Sequence, residues 1–416
     1  MNWLLKSFLS SAIKTGALDV VDASGTVFSF GDGSDAKTRI RFQTTKAGWL
    51  VAINPELHLG EAYMDGNLIV ERGDIYGLLS LVTSNIRTER APWMMVFGVL
   101  RFITRRFRQN NNRQQSRRNV AHHYDLDATF YRLFLDSDRQ YSCAYFESPD
   151  VGLEEAQMAK KRHLAAKLCL RPNHTVLDIG SGWGGLGLYL AGIGNAHVTG
   201  VTLSQEQLKI STARARDLDL SDRAEFHLKD YRSLTGPYDR IISVGMFEHV
   251  GVGHFQEYFA KCRELLDDDG IMVLHSIGRS NGPDETNSWT QKYIFPGGYI
   301  PALSEVLPVI EKEGLIVSDV EILRLHYAET LKAWRERFME RREEARELYD
   351  ERFCRMWEFY LASSETAFRY QDLMVFQIQL VKEQSAAPLT RTYIDDEERR
   401  LRLVEEHRQP FRLAGE

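Results

Sequence analysis

The stretch TVLDIGSGWGGLG, residues 175–187, is the strongest indication of how this chain folds. An apolar run that passes through Asp178 reads as a strand, and a helical pattern follows from Gly184. Glycines in a turn between a strand and a helix let backbone amides approach a ligand at the carboxyl end of the strand. The stretch therefore predicts a nucleotide-like ligand at this turn, although a turn that only packs helix against strand would use the same residues.

On both sides of this turn, short apolar runs alternate with amphipathic stretches. The runs predict strands at residues 175–180, 197–203, 224–229, 239–245 and 271–278. The stretches between and after them predict helices near residues 184–191, 205–218, 255–266 and 303–313. This alternation is typical of a parallel, doubly wound α/β sheet. Residues 315–325 and 374–382 read as further strands, separated by a long, charged helical stretch over 328–368.

The amino-terminal part follows a different pattern. Residues 26–33, 38–45 and 49–54 alternate apolar and polar side chains between turn-forming residues, which predicts a small β-rich unit. The first sixteen residues, MNWLLKSFLSSAIKTG, place apolar side chains at helical spacing. They lack the basic start and the cleavage site of a secretory signal, so we expect an amphipathic helix there.

A basic block separates these two parts, because no acidic residue lies between Glu89 and Asp125. The block contains Arg90, Arg101, Arg105, Arg106, Arg108, Arg113, Arg117 and Arg118. Its first half, PWMMVFGVLRFITRRF, mixes arginines with large apolar side chains, as a helix at an anionic lipid surface does. A basic helix that packs its apolar stripe on a neighbouring domain would have the same composition.

Composition limits the classes of function. The 416 residues carry 52 Lys and Arg against 58 Asp and Glu, so the net charge of -6 does not favour nucleic acid as a partner. The four cysteines lie far apart without a C-x-x-C pair, which argues against a disulfide framework or a zinc site and for reduced thiols in a cytoplasm. No apolar run approaches the roughly 18 residues that a spanning helix needs.

The second predicted strand narrows the choice of nucleotide. HVTGVTLSQEQ has no Asp or Glu at its end, where a dinucleotide fold places one for the ribose hydroxyls. Thr202, Ser204 and Gln207 offer neutral hydrogen bonds instead. Asp230, after the third strand, can accept a bond from an exocyclic adenine amine. This arrangement favours S-adenosylmethionine over NAD.

Further motifs extend far beyond the glycine turn. They are HYDLDATFYRLFLDSDRQYSCAYF (123–146), GVTLSQEQ (200–207), GMFEHVG (245–251), HSIG (275–278), FPGGYIP (295–301), HYAETLKAWRERF (326–338) and FCRMWEFYLASSETAFR (353–369). With them the chain resembles the cyclopropane fatty acid synthases, S-adenosylmethionine-dependent enzymes that include the mycolic acid cyclopropane synthases. LHLGEAYMDG (57–66) resembles the amino-terminal lipid-associated domain of the phospholipid-acting members.

The resemblance implies a fold and a division of the chain. The fold is a class I methyltransferase, Rossmann-like doubly wound sheet with helical additions, preceded by a smaller lipid-associated α+β domain. The implied regions are the amino-terminal domain (1–100), a basic linker (101–120), the S-adenosylmethionine-dependent catalytic domain (121–394) and a charged carboxyl-terminal tail (395–416). The alternating charges of the tail predict a solvated helix or a frayed end.

The resemblance also implies the reaction, which is methylene transfer to the cis double bond of an unsaturated acyl chain in a membrane phospholipid. Attack by the alkene leaves a carbocation, and the aromatic faces of Tyr124, Tyr141, Phe247 and Tyr327 are candidates to stabilise it. In the family a bound bicarbonate serves as the base. Its implied ligands are Cys143, Glu248, His275, the backbone at Ile277, and Tyr327. We expect Glu248 to bond the protonated side of bicarbonate and to help receive the proton, since two like charges would repel.

For the cofactor, the resemblance implies contacts along the whole ligand. These are Tyr124 and Ser142 near the methionine moiety, Gly180 and Gly182 at the turn, Thr202, Leu203 and Gln207 at the ribose, and Asp230 with Tyr231 near adenine. FPGGYIP reads either as the entrance for the acyl chain, with exposed aromatic side chains, or as a surface turn. No metal is implied.

Other interpretations stay open. Taken singly, Cys143, Phe247, His275 and Tyr327 would each suit an ordinary core, and only together do they indicate a site. An enzyme that gives methyl- or methylene-branched chains, or a non-catalytic lipid-binding protein, would share much of the pattern. Because the substrate lies in a bilayer, the basic block favours peripheral contact with the anionic inner face of the membrane from the cytoplasm. The family also suggests a homodimer.

Overall fold

The computed structural model of the chain describes residues 1–34, 37–86 and 128–407. Their contacts divide them into two compact units. Within the described ranges, the first unit contains residues 1–34, 37–86, 285–296 and 331–373, and the second contains residues 128–284, 297–330 and 374–407. Two segments of the predicted 121–394 region, 285–296 and 331–373, therefore group with the amino-terminal part.

The strands of the described residues are β1 (Leu18–Val21), β2 (Val27–Phe30), β3 (Thr38–Phe42), β4 (Leu68–Arg72), β5 (Thr175–Ile179), β6 (His197–Thr202), β7 (Ala224–Leu228), β8 (Tyr238–Val244), β9 (Leu266–Arg279), β10 (Ile316–Leu323) and β11 (Leu373–Val381). The α-helices are α1 (Trp3–Ala12), α2 (Thr45–Ile53), α3 (Pro55–Met64), α4 (Ile75–Ile86), α5 (Ala128–Tyr131), α6 (Leu153–Lys167), α7 (Gly185–Gly192), α8 (Gln205–Asp217), α9 (Phe255–Leu265), α10 (Ser288–Tyr293), α11 (Leu303–Lys312), α12 (His326–Glu340), α13 (Arg342–Leu348), α14 (Glu351–Tyr370) and α15 (Thr392–His407).

The first unit contains a four-stranded sheet in the order β2-β1-β3-β4, in which β1 and β3 are parallel and the other pairs are antiparallel. The predicted amino-terminal helix is confirmed as α1, which begins where the Asn2 side chain accepts a bond from the Leu5 amide at 2.7 Å. It buries Leu5 and Leu9 on one face. The mixture of strands and helices agrees with the expected α+β composition.

One prediction for this unit is wrong. Residues 49–54 were expected to form a strand, but residues 49–53 belong to α2 and Asn54 caps its end, because the Thr44 hydroxyl accepts from the amide of Ala47 at 3.2 Å and starts a helix. A short apolar run cannot be assigned to strand or helix from its periodicity alone. The helical stretch predicted over 328–368 is confirmed and is divided into α12, α13 and α14, the last of which begins where the Asp350 side chain accepts from the Phe353 amide at 2.7 Å.

The second unit contains a seven-stranded sheet in the order β10-β11-β9-β8-β5-β6-β7. The pairs β8-β9, β5-β8, β5-β6 and β6-β7 are parallel, which confirms the predicted doubly wound sheet. The two further strands predicted at residues 315–325 and 374–382 extend this sheet as β10 and β11, which pair antiparallel to each other at one edge. An antiparallel edge strand on an otherwise parallel sheet is common in such folds.

The central strands of this sheet are buried on both faces. Successive residues of each strand alternate between two hydrophobic clusters, as Leu177 and Val176 of β5 and Ile241 and Ile242 of β8 do. This explains why the strands read as continuous apolar runs in the sequence. The chain leaves β5 on one side through β6 and β7 and returns on the other through β8. The carboxyl ends of β5 and β8 therefore flank a topological switch point, where ligands bind in such sheets.

Residues 392–407 form α15, so the helix that was one of the two alternatives for the tail from residue 395 is present as far as His407. Its Leu401 is fully buried in a hydrophobic cluster of the second unit, so this helix packs on one side and is not solvated all round. Separately, none of the helices within the described ranges combines the length and apolar character needed to cross a membrane.

Candidate functional site

The glycine turn after β5 serves both packing and ligand access. Gly180, Gly182 and Gly184 all have positive φ angles, of 84°, 54° and 84°. A Cβ on Gly184 would lie 2.8 Å from Ser211 Cβ and 3.0 Å from Phe226 Cζ, so this glycine is needed for close packing. A Cβ on Gly182 would meet no atom of the described residues within 4 Å, so this glycine borders open space in that part of the chain. Gly184 therefore serves the packing of helix against strand, and Gly182 leaves room for a ligand.

A cavity opens at the switch point, beside this turn. It brings together eight of the nine residues predicted to bind the cofactor: Ser142, Gly180, Gly182, Thr202, Leu203, Gln207, Asp230 and Tyr231. The ninth, Tyr124, lies outside the described residues. Asp178, Arg139, Gln140 and His249 also line the cavity and were not predicted to bind there.

The part of the cavity that was predicted to bind the ribose has a polar hydrogen-bond network. Thr202 Oγ1 donates to Gln207 Oε1 at 2.7 Å and accepts from the Ser204 amide at 3.1 Å. The Ser204 hydroxyl caps α8 by accepting from the Gln207 amide at 3.3 Å. These neutral groups stand where a dinucleotide fold has an acidic residue, as the sequence predicted.

Asp230 departs from its expected role as a free acceptor for adenine. Its carboxylate takes two bonds from the Arg232 guanidinium, from Nε at 2.9 Å and from Nη2 at 2.7 Å, and a third from the Arg232 amide at 3.0 Å. Asp230 and Arg232 are two residues apart in the turn after β7, so this bidentate contact forms within one short segment. Asp230 still lines the cavity, but much of its accepting capacity is already used.

Two charged groups in the wall between the cavity and the core were missed by the sequence interpretation. Asp178 is buried at the end of β5, and its Oδ2 has no hydrogen-bond partner among the described residues. Burial raises its pKa to about 7. Lys160 on α6 is fully buried and donates from Nζ to Gln140 Oε1 at 2.6 Å and to Ser142 Oγ at 2.8 Å. The signal that could have identified it is the position of Lys160 between apolar residues, since Met158 and Ala159 precede it and Leu164 follows one turn later.

Glu248 and Ile277 are brought together as predicted. Glu248 lies on a short 3-10 turn after β8, and its Oε1 accepts from the Ile277 amide of β9 at 2.7 Å. Oε2 is buried without a hydrogen-bond partner within the described ranges. Burial raises the pKa of Glu248 to about 7, against the opposing effect of the Ile277 and Ser276 donors. One oxygen is thus oriented, and the other can take or release a proton near neutral pH.

His275 lies two residues before Ile277 on β9 and is buried. Gln377 Nε2 of β11 lies 3.2 Å from its Nδ1. With the amide donating, Nδ1 accepts and the imidazole proton is on Nε2. Burial lowers the pKa of His275 well below its ordinary value, so the ring is neutral at physiological pH.

Cys143 and Tyr327 lie on two segments that are bonded to each other. The Ala144 amide donates to Thr330 Oγ1 at 3.0 Å, and the Phe146 amide donates to His326 Nδ1 at 3.0 Å. This fixes the extended segment with Cys143 to the first turn of α12, which carries Tyr327. Cys143 is buried, and burial raises the pKa of its thiol well above the ordinary value. It is therefore a neutral thiol.

Two aromatic predictions are wrong. Phe247 was a candidate to face the reacting centre, but it is buried in the core and stacks on Phe255 with 4.5 Å between ring centroids. Tyr299 of FPGGYIP was expected to be exposed, but only 1% of it is accessible, and its hydroxyl donates to Glu305 at 2.6 Å. Tyr141, in contrast, lines the cavity and packs edge-on against Tyr131.

Comparisons with known proteins agree on one family. The model of the family described as mycolic acid cyclopropane synthetase matches residues 111–378. A probable fatty acid methyltransferase of Pseudomonas putida is 40% identical over 283 residues, 66% of this chain and 72% of that protein. The cyclopropane-fatty-acyl-phospholipid synthase of Escherichia coli K12 is 38% identical over 322 residues, 77% of this chain and 82% of that protein. The crystal structure of the mycolic acid cyclopropane synthase CmaA1, complexed with SAH and CTAB, matches with a TM-score of 0.61 at 32% identity, covering 64% of this chain and 97% of the other.

Proposed function

Because the chain belongs to the mycolic acid cyclopropane synthetase family and is an S-adenosylmethionine-dependent methyltransferase, we propose that it converts cis double bonds of acyl chains in membrane phospholipids to cyclopropane rings. The observation that carries this proposal is that residues lining the cavity lie next in sequence to residues of the predicted bicarbonate site. Ser142 lines the cavity, and the adjacent Cys143 is one of the predicted bicarbonate ligands. Gly245 and Met246 also line the cavity, and Glu248 follows them closely in sequence.

The proposed reaction has three steps. The π electrons of the alkene form a bond to the sulfonium methyl group as the carbon–sulfur bond breaks, and S-adenosylhomocysteine leaves with that electron pair. The resulting carbocation loses a proton from the transferred methyl group to a base. The electron pair of that C–H bond then closes the ring. An alkene is a weak nucleophile, so holding it in line with the methyl group in a dry pocket lowers the barrier by several kcal/mol.

The fit of the cavity to S-adenosylmethionine rests on its own atoms. The bound cofactor supplies the methyl group as an electrophile. Gly182 leaves room for close approach, and the network of Thr202 and Gln207 offers donors and acceptors to ribose hydroxyls. Asp178 presents a buried oxygen that suits a cationic ligand. These features of the protein alone therefore support S-adenosylmethionine as the ligand.

The predicted bicarbonate site is likewise compatible with the groups around it. Bound bicarbonate would supply the base for the cation. Cys143 and His275 are neutral, and the backbone at Ile277 is already engaged with Glu248. Glu248 is the group that can avoid repulsion by sharing a proton, because its pKa of about 7 lies close to working pH. Its unsatisfied Oε2 can accept the acidic hydrogen of the anion.

We also propose that the protein works at the inner face of the membrane as a peripheral enzyme. The arginine-rich block lies outside the described residues, so this part rests on its sequence. Within the first unit, Trp3 is 73% exposed, and Trp49 and Ile53 of α2 are also exposed. Such side chains suit insertion at an interface. Binding to anionic vesicles should weaken with salt, by about 1 kcal/mol for each arginine whose attraction to the lipid is screened. Equal binding at all salt concentrations contradicts it.

A second candidate is an enzyme that releases a different proton from the same cation and gives a branched chain. The similarity to a probable fatty acid methyltransferase at 40% identity supports this second candidate. The two candidates differ only in which C–H bond breaks, and no described contact distinguishes them. The homodimer expected from the family is a further proposal, to be checked by light scattering.

One assay tests these proposals. The protein is incubated with methyl-labelled S-adenosylmethionine, bicarbonate and vesicles of monounsaturated phospholipid, and the released acyl chains are analysed by mass spectrometry and proton NMR. An added CH2 with ring resonances is the expected result. An added CH2 with olefinic or methyl-branch resonances assigns the second candidate. Absence of label in lipid, with cofactor bound, contradicts the phospholipid substrate.

A further inference from the structure

The predicted bicarbonate ligands lack a positive charge. Cys143 is a neutral thiol and His275 a neutral imidazole, because burial shifts the pKa of each towards the uncharged form. Tyr327 is a phenol, and Glu248 adds negative charge when it ionises. A buried anion without a cationic partner is strongly unfavourable. Either the anion does not bind there, or another residue supplies the charge.

Lys160 is a buried cation beside this set. It is fully inaccessible on α6, and its direct partners, Gln140 Oε1 and Ser142 Oγ, are both neutral. An ammonium has three N–H donors, and the third has no partner among the described residues. Its charge acts on Cys143 and on His275, which places it near both segments that carry predicted ligands.

The neighbouring lysine shows how different this environment is. Lys161 donates to Asp138 Oδ2 at 2.6 Å, and Arg214 binds the other oxygen of the same carboxylate. Lys161 thus belongs to a structural ion pair, whereas the hydrogen-bond partners of Lys160 among the described residues are both neutral. Burial lowers the pKa of Lys160 to about 8, partly offset by more distant carboxylates. The charged or titratable groups that act on it or feel its charge are Asp136, Asp138, Cys143, Lys161, Asp178 and His275.

We propose that Lys160 is the counter-charge that allows bicarbonate to bind in this buried site. The inference rests on the proposed function and goes beyond it, because it adds a residue that the motifs did not indicate. Gln140 and Ser142 hold the ammonium at the boundary between the cofactor cavity, which both of them line, and the segment of Cys143. The same charge would favour loading of the anion next to the cofactor.

The cofactor itself offers a competing anion of the same chemistry, the carboxylate of its methionine moiety. Ser142 is predicted to lie near that moiety, and Asp178 also feels the charge of Lys160. The neutral partners of Lys160 do not distinguish the two carboxylate-like ligands. Separate binding measurements for bicarbonate and for S-adenosylhomocysteine do so.

The test compares wild type with Lys160→Met, Lys160→Arg and the control Lys161→Met. Lys161→Met also removes a buried lysine from α6 but leaves Arg214 on Asp138. Bicarbonate binding is measured by calorimetry and by 13C NMR of labelled bicarbonate, and S-adenosylhomocysteine binding by calorimetry. We expect Lys160→Met to weaken bicarbonate binding at least about tenfold, as expected when a charged hydrogen bond is removed, with Lys160→Arg and Lys161→Met within about threefold of wild type.

The pH dependence gives a second measurement that does not need Lys160→Met to fold. Bicarbonate affinity of wild type should fall above about pH 8 as Lys160 loses its proton, and this step should be missing in Lys160→Arg. Glu248 also titrates in this region, near pH 7, and its contribution should remain in both proteins. The difference between the two curves therefore reports Lys160.

Three results would overturn the proposal. One is a folded Lys160→Met protein with unchanged bicarbonate affinity, which leaves the proposed reaction intact. Another is a selective loss of S-adenosylhomocysteine binding, which assigns the charge to the cofactor carboxylate. The third is a wild-type protein that binds no bicarbonate, which also removes the proposed base.

Discussion

The backbone amide of Ile277 donates a hydrogen bond of 2.7 Å to Glu248 Oε1. The bond joins the turn after β8 to the neighbouring strand β9, two residues beyond His275. It fixes the direction of the carboxyl group and leaves Oε2 buried with no partner in the described part of the chain. Glu248 can therefore change its protonation at Oε2 without breaking the bond that orients it.

Replacing Glu248 by Gln should keep the bond to Ile277 and remove the exchangeable proton. We expect kcat to fall about 100-fold or more, as for the removal of an acid–base group. Since the pKa of Glu248 is about 7, wild-type activity should rise between pH 6 and 8 as the carboxylate forms, and this rise should disappear in the variant. Glu264→Gln, which changes a carboxyl group on the surface, is the control. Full turnover of Glu248→Gln with unchanged bicarbonate dependence would contradict the role of Glu248 in receiving the proton.

Asp178 should couple cofactor binding to pH. Burial raises its pKa to about 7, and a cationic ligand in the cavity favours its ionised form. The affinity for S-adenosylmethionine should therefore increase from pH 6 to pH 8. Asp178→Asn should bind about tenfold more weakly at pH 8 and show no such increase, because the charge that strengthens the hydrogen bond is removed. Calorimetric titrations at three pH values provide the measurement, and equal affinities of the two proteins at pH 8 refute the coupling.

Much of the second unit could be predicted because its sequence signals are local. Buried parallel strands are continuous apolar runs, and the glycine turn combines composition with position between strand and helix. The eight residues that these elements and the family motifs predicted to bind the cofactor line one cavity. The helix at residues 49–53 was missed because its start depends on one capping hydroxyl, Thr44, rather than on periodicity.

The remaining differences concern the partners of individual side chains, which the sequence interpretation did not consider. The Asp230 carboxylate is bound by Arg232, and Phe247 packs in the core against Phe255. Lys160 was missed because a lysine in a helix normally faces solvent, and only the packing of α6 shows that it is buried. The charged side chains buried beside the cavity were therefore not predicted from the sequence and were identified from the structure.

Two neighbouring glycines should separate binding from stability. Gly184→Ala would force a Cβ to 2.8 Å from Ser211 at a φ of 84°, and should lower the free energy of unfolding by about 2–4 kcal/mol. Gly182→Ala meets no neighbour, so about 1–2 kcal/mol of backbone strain is expected. Its methyl group would occupy open space at the cavity and should weaken S-adenosylmethionine binding about tenfold, the amount expected when one hydrogen bond to the ligand is prevented. Urea unfolding and calorimetry of both variants check this, and the reverse pattern contradicts it.

His163 should make the stability of the second unit depend on pH. It lies 2.8 Å from Glu321 of β10 and 2.5 Å from Glu398 of α15, and it stacks on Tyr145. Burial opposes its charge, but the two carboxylates outweigh burial and raise its pKa. The raised value means that the stabilisation is complete below the ordinary pKa of histidine and is lost as the pH rises through the folded-state value.

His163→Gln should therefore lower the free energy of unfolding most at acidic pH, by about 3–5 kcal/mol for a buried ion pair from which one partner is removed. The difference from wild type should shrink as the pH increases, because wild type then loses the same charge. His197→Gln, at an exposed position on β6, should show no such trend. Urea unfolding followed by tryptophan fluorescence between pH 6 and pH 9 measures both. A difference that stays constant over this range would mean that His163 contributes by packing on Tyr145 rather than by charge.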